Sequence, residues 1–190
     1  MPNKPTLKVI PPPKDTPHHE VYINNRLWTN RVYFNEADKL IHIDDFPPLK
    51  IQKLKGLRAT DFPNKFKLQW RIDKPIHRIF DMFSITRKGS RISVEVYGSY
   101  TEWKNNLTDT LWNPIFFVRE MAHVARQLGH KSSCETNLGS EYISVTLIVQ
   151  YKTEGTITEL FDKTMDLSLQ IMEQANRSLL QKASKQLAKQ

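Results

Sequence analysis

Three segments of the chain have the residue pattern of β-strands, and they constrain the fold more than any other feature. Apolar and polar residues alternate along Phe66–Ile72 and Arg91–Tyr100, and Tyr142–Tyr151 is dense in β-branched and aromatic residues. Because successive side chains of a strand point to opposite sides of a sheet, the alternating segments predict strands with one buried side. Trp70 lies on the apolar side of the first segment. This favours packing in the core over base stacking, since stacking would need an exposed ring.

Segments with helical periodicity follow these strands. Pro75–Lys88 carries apolar residues at helical spacing and precedes Gly89, which predicts a short helix. A second helix is predicted from Pro114 to Gly129, because proline suits the first helical position and glycine the residue just past the end. After Thr156, an apolar line that repeats about every 3.5 residues predicts a long C-terminal helix.

Proline is frequent at the start of the chain, where Pro2, Pro5 and Pro11–Pro13 remove backbone donors and favour an extended path. Residues 1–20 hold few large apolar side chains, so they predict a flexible, disordered arm. The chain from Val21 to Ile43 instead predicts β-hairpins, with turns at residues 24–25 and 35–38.

Together these elements predict an α+β fold. We expect an antiparallel or mixed sheet with helices packed on one face, a β-rich N-terminal part and a long C-terminal helix. The length of 190 residues suits a single domain over residues 21–180, with the arm before it and a basic polar tail at 181–190. Residues 49–65 predict a long loop with short ordered pieces, and residues 130–140 predict a polar loop.

Positive charge is concentrated in the middle of the chain. Residues 50–91 hold twelve Lys and Arg against three Asp, a net charge of +9, whereas the whole chain has +8. This indicates a polyanionic partner, either nucleic acid or an anionic lipid surface, although clustered charge can also serve solubility alone. The candidate binding residues are Lys50, Lys53, Lys55, Arg58, Lys65, Lys67, Arg71, Lys74, Arg78, Arg87 and Lys88.

Patterns that carry chemistry are sparse. The six glycines form no phosphate-binding loop, and the single cysteine, Cys134, has no evident base beside it. Glu120 and His123 are three residues apart on one predicted helix, but a metal needs three or four ligands, and an ion pair or a satisfied histidine explains them better. The pairs His18-His19 and Asp44-Asp45 do not make a metal site by themselves. We therefore expect a protein that is not an enzyme and that holds neither metal nor cofactor.

Membrane-spanning and secretory segments are not expected. No apolar run approaches the ~18–20 residues of a spanning helix, and the N-terminus lacks the apolar core of a signal peptide.

The segment Lys67–Met82 resembles a stretch of the rhabdovirus matrix proteins. In that family a strand ends in Arg and is followed by a polar pair, a basic residue, Pro, a second basic residue and an Asp in the following helix. The matching positions here are Arg71, Asp73, Lys74, Pro75, His77 and Asp81. The predicted order of strand, helix, strand, helix, strand, helix also agrees with what the matrix fold implies, and the small size suggests a plant-infecting or otherwise divergent member.

The resemblance implies a structural role in a virion. Matrix proteins condense the nucleocapsid, bridge it to the anionic inner leaflet and drive budding, so we expect viral nucleocapsid or RNA, anionic membrane lipids and further copies of the chain as partners. The implied locations are the virion, the host cytoplasm and the inner membrane surface. Matrix self-association uses a proline-containing N-terminal segment, for which the candidates are Val9, Ile10, Pro11, Pro12 and Pro13.

Two features keep alternatives open. The late-domain motif of two prolines, any residue and tyrosine is absent, because Pro13 is followed by Lys14 and Asp15. The basic window is also compatible with the alternative of a nucleic-acid-binding protein of another kind, such as a single-strand binder or a silencing suppressor.

Overall fold

A computed structural model describes residues 5–11, 19–49, 51–76, 80–100, 114–137, 142–151 and 155–189. These residues have the predicted α+β fold. The strands are β1 (Leu7–Ile10), β2 (His19–Ile23), β3 (Arg26–Asn35), β4 (Leu40–Leu49), β5 (Lys65–Ile76), β6 (Phe80–Lys88), β7 (Arg91–Tyr100), β8 (Lys131–Asn137) and β9 (Tyr142–Tyr151). The helices are α1 (Pro114–Gln127) and α2 (Ile157–Leu187), and two 3-10 turns, Ile51–Leu54 and Ala59–Asp61, connect β4 to β5.

All the described strands join one mixed sheet in the order β1-β2-β3-β4-β5-β6-β7-β9-β8. Neighbouring strands are antiparallel except β4 and β5, which run parallel because the connection with the two 3-10 turns returns the chain to the same end of the sheet. The predicted loop over residues 49–65 is therefore a crossover with short ordered pieces, as expected.

The predicted turns of the N-terminal hairpins are confirmed. Asn24 and Asn25 have φ of 51° and 60°, which fits the type I′ turn that joins β2 to β3. In the next turn the side chains of Asn35 and Asp38 accept hydrogen bonds from nearby backbone N–H groups, at 2.9 and 3.1 Å. Short polar side chains thus fix both turns locally.

The prediction of a disordered arm over residues 1–20 is wrong for Leu7–Ile10, which form β1. This strand pairs antiparallel with β2, with Val9 opposite Val21, and the Leu7 and Val9 side chains pack against the core. The exposed edge of β2 supplies backbone partners that the arm lacks when it is considered alone. Val9 and Ile10, two of the predicted self-association residues, therefore belong to this subunit's own sheet, Pro11 follows them as an exposed residue, and Pro12 and Pro13 lie outside the described residues.

The predicted helix over Pro75–Lys88 is also wrong. Within that segment β5 continues to Ile76 and β6 begins at Phe80, and β6 then pairs on both sides, with β5 and with β7. Gly89 has a φ of +65° and occupies the tight turn between β6 and β7, so it marks a hairpin and not the end of a helix.

A third difference concerns residues 130–140, where a polar loop was predicted. Lys131–Asn137 forms β8, which pairs antiparallel with β9 along its length at the edge of the sheet. A polar sequence suits an edge strand, because charged and polar side chains discourage pairing with another chain.

Both helices pack on the same face of the sheet, as predicted. The rings of Trp70 and Phe83 lie 4.6 Å apart, and Phe83 lies 4.8 Å from Phe161 of α2. Trp70 is only 1 % exposed, which confirms its place in the core. α2 begins at the predicted cap, where the Thr156 side chain accepts a hydrogen bond from the Glu159 N–H and Glu159 accepts one from the Thr156 N–H.

Candidate polyanion-binding surface

Strand alternation places most of the described cations of β5 to β7 on the sheet face opposite the helices. Phe66, Leu68 and Trp70 of β5 are buried in the core, so the intervening Lys65, Lys67 and Arg71 project from the other side. The register continues this arrangement across the sheet, because Lys65 is opposite Lys88 and Lys88 is opposite Arg91.

We call this surface the basic face. Its cations are spaced about 5 Å apart between strands and about 7 Å apart along a strand, close enough for one polyanion to contact several of them. Its described charged residues are Lys65, Lys67, Arg71, Lys88, Arg91, Lys131 and one acid, Glu95, which lies in the same cross-strand row as Lys131.

An ionised acid lies at the border of the basic face. The Asp38 Oδ2 atom is 2.6 Å from Nε2 of His42, and His42 is opposite Lys67 in the sheet. Partial burial disfavours the charged form of Asp38, but the hydrogen bond and charge of His42 outweigh this, so the pKa of Asp38 is lowered, with a smaller contribution from Lys88. Asp38 thus positions His42 and limits the positive potential at this border.

Arg87 belongs to the other face and has a structural role. Its side chain donates hydrogen bonds to three backbone oxygens, those of Gly89 at 2.9 Å, Ala59 at 3.3 Å and Phe62 at 3.2 Å. These contacts hold the second 3-10 turn against the sheet. The position of Arg87 therefore does not support the prediction that it shares a binding surface with Lys67 and Lys88.

Three more of the predicted cations lie away from the basic face. Lys53, Lys55 and Arg58 are exposed on the connection between β4 and β5, which packs against the start of α2 through the hydrogen bond from the Ile157 N–H to the Leu57 oxygen, 2.7 Å. Lys50 and Arg78 lie outside the described residues, and so does the side chain of Lys74.

One member of the candidate metal pair, Glu120, is held by contacts with α2. Glu120 accepts hydrogen bonds from Ser178 and, at 2.6 Å, from Lys182, so it joins α1 to α2. Burial disfavours its charged form, but these hydrogen bonds prevail and the pKa of Glu120 is lowered. In the part of the chain that the structure describes, no three His, Cys, Asp or Glu side chains are grouped as a metal would require. The side chains of Cys134, His18-His19 and Asp44-Asp45 fall outside it.

The predicted binding residues leave out four members of the basic face, Arg91, Glu95, Tyr97 and Lys131. Glu95 and Tyr97 continue the alternation that puts Arg91 and Ser93 on the polar side of β7. Strand alternation alone could therefore have placed them on the basic face. Lys131 could not be placed, because the polar sequence of residues 130–140 predicts a loop.

The chain matches no protein-family model, no curated protein and no solved structure. Among its described residues, neither helix holds an apolar stretch that could cross a bilayer.

Proposed function

We propose that the protein is a non-enzymatic structural protein of the viral-matrix type that binds the RNA of a nucleocapsid on its basic face. The observation that carries the proposal is the gathering of Lys65, Lys67, Arg71, Lys88 and Arg91 on the face that the described helices leave uncovered. A row of cations on a sheet can contact successive phosphates, and release of counterions then drives binding.

Bridging to the inner leaflet of a membrane is part of this proposal, since the same cations attract anionic lipid. RNA is the better match to the basic face itself. Its larger apolar side chains, those of Met82, Tyr97 and Ile148, are only partly exposed, whereas membrane insertion favours protruding apolar groups.

Self-association is the second requirement of a matrix role, and the end of α2 offers a surface for it. Leu180 and Leu187 are 68 % and 72 % exposed, and with Ala183 they form a stripe at coiled-coil spacing. Lys182 and Lys185 lie on the opposite side of this helix, so a second copy could pair along the stripe without bringing like charges together.

A single-strand binder that does not assemble is the alternative. The partly exposed Tyr97 ring within the basic face favours it, because aromatic side chains on sheets stack with unpaired bases. Sedimentation velocity of the full chain separates the two: the matrix proposal expects concentration-dependent assembly that Leu180→Ser/Leu187→Ser reduces, and a strictly monomeric chain would favour the alternative.

The binding surface is tested by titrating the full chain with a labelled single-stranded RNA between about 50 and 200 mM salt. The variant Lys67→Gln/Arg71→Gln/Lys88→Gln should lower the slope of log affinity against log salt by about 2, since each phosphate contact contributes about 0.7. Flotation with phosphatidylserine vesicles tests the membrane part with the same variant.

A matched control has the same change in charge on another part of the molecule. Lys53→Gln/Lys55→Gln/Arg58→Gln also removes three cations, but it should leave the salt slope within about 0.5 of the unmodified chain. Equal losses in both triple variants would mean that net charge, and not the basic face, determines binding.

A further inference from the structure

The basic face contains a cleft that phosphate binding does not explain. Its volume is about 230 Å³, close to the space of about eight waters and enough for one nucleobase. It is lined by Gln69, Met82, Phe83, Ser84, Glu95 and Tyr97.

Two adjacent cross-strand rows give the cleft an apolar side and a polar side. Met82 is opposite Tyr97 in one row, and Gln69, Ser84 and Glu95 face one another across the strands in the next. A thioether and an aromatic ring suit the flat face of a base, whereas an amide and a carboxylate suit its hydrogen-bonding edge. Arg71 extends the apolar row beyond Met82, so a cation lies beside the cleft for the phosphate of the same nucleotide.

Glu95 is the residue that needs an explanation. Within the described part of the chain no hydrogen bond or ion pair engages its side chain, and it is the one acid among the described charged residues of a surface that is proposed to bind phosphates. A carboxylate repels a phosphate but accepts a hydrogen bond from an exocyclic amino group, as it does from N4 of cytosine. Uracil has a carbonyl oxygen at that position, which would face the carboxylate with no proton between them.

We propose that this cleft is a nucleobase subsite that prefers a base with an exocyclic amino group to uracil, with Glu95 as the residue that determines the preference. The inference rests on the proposed RNA binding and adds a base specificity to it. Tyr97 and Met82 hold the ring, and Gln69 and Glu95 read its edge.

A second cleft on the same face gives the RNA backbone a place to continue. It has a volume of about 580 Å³, and its lining includes Thr86, Lys88, Arg91 and Ser93, which are two cations and two hydroxyl groups. Ser84 in the base cleft and Lys88 are four residues apart on β6, about 13 Å, so one short oligonucleotide can reach both clefts.

Oligo(C) and oligo(U) of equal length form the matched pair of probes, because their bases differ in the group at C4 that faces Glu95. The full chain should bind oligo(C) about tenfold more tightly than oligo(U) in fluorescence anisotropy titrations. Glu95→Gln should reduce this ratio to about one, since an amide can both donate and accept. Tyr97→Leu should weaken binding of both probes.

Asp38→Asn is the charge-matched control. It also removes one negative charge, at the border of the basic face, so it should strengthen binding of both probes as Glu95→Gln does, but it should keep the preference for oligo(C). Thermal melts of the variants show whether each of them folds.

The outcomes separate this inference from the proposed function. Salt-dependent binding with equal affinities for the two probes, or a preference that survives Glu95→Gln in a folded variant, would overturn the base subsite and leave RNA binding intact. An absence of salt-dependent binding to both probes would overturn the proposed function and this inference together.

Discussion

Arg87 and Lys88 are adjacent in β6, and their opposite orientations make a sharp prediction. Arg87→Met keeps the length of the side chain but removes the hydrogen bonds to the Ala59, Phe62 and Gly89 oxygens. Hydrogen bonds from a charged donor contribute about 1.5–3 kcal/mol each, but two of these are long and share one nitrogen, so we expect a total loss of about 3 kcal/mol. For a chain of this size the melting temperature should fall by about 6–12 °C.

Lys88→Met should instead weaken RNA binding and leave the stability of the fold nearly unchanged. Its side chain is exposed on the basic face, so the free energy of unfolding should change by less than about 0.5 kcal/mol. The salt slope for RNA binding should fall by about 0.7, whereas Arg87→Met should leave the slope unchanged at a temperature where that variant is folded. Calorimetry measures the change in stability of each variant, and anisotropy titrations measure the change in its salt slope. A stable Arg87→Met variant with weakened RNA binding would refute the assignment of the two faces.

Three further predictions concern α2. Glu120→Gln should lower the melting temperature near pH 7 and make it depend less on pH in acid. The pKa of Glu120 is lowered in the folded chain, so its contribution to stability is complete above about pH 4.3 and is lost as the pH falls through the folded pKa. Thermal melts between about pH 3 and 7 would show this. Thr156→Ala should cost about 1 kcal/mol in urea unfolding, because it removes the helix cap, and an unchanged midpoint would contradict the capping role. Leu180→Ser/Leu187→Ser should reduce assembly in sedimentation without lowering the melting temperature, and retained assembly would exclude the stripe as the contact.

The long helices and three of the strands could be predicted because their signals are local. Thr156 and Glu159 form a capping box that is visible in the sequence, and Gly129, with a φ of +82°, follows α1 where a terminating glycine was expected. The turn at residues 24–25 was likewise readable from its two asparagines.

The elements that could not be predicted depend on their neighbours. The apolar residues of β6 are compatible with both a helix and a strand, and only pairing with β5 and β7 on either side decides in favour of the strand. β1 and β8 are edge strands with short or polar sequences, and each is fixed by the backbone of the strand beside it. The candidate site was predicted in part, because the basic window of residues 50–91 was identified. A count of charges does not show that Arg87 and Lys88 lie on opposite faces of the sheet, whereas strand alternation does.

The structure also changes which observations support a matrix role. The expected order of three strand–helix pairs is wrong, since β5, β6 and β7 follow one another before α1 and β8 and β9 follow it. The segment Lys67–Asp81, which resembles the matrix family, therefore lies largely on β5 and β6. The order of strands and helices no longer supports the proposal, which depends on the basic face and on the exposed stripe of α2.

Those surfaces make a matrix role geometrically workable, because the two proposed contacts do not compete. The basic face lies on one side of the sheet, and α2, whose end exposes Leu180 and Leu187, lies on the other side. RNA binding should therefore persist in the double leucine variant, and assembly should persist in Lys67→Gln/Arg71→Gln/Lys88→Gln. If instead either set of substitutions abolished both properties in folded protein, RNA and the second copy would share one surface, and a chain that bridges a nucleocapsid to its neighbours would need a different design.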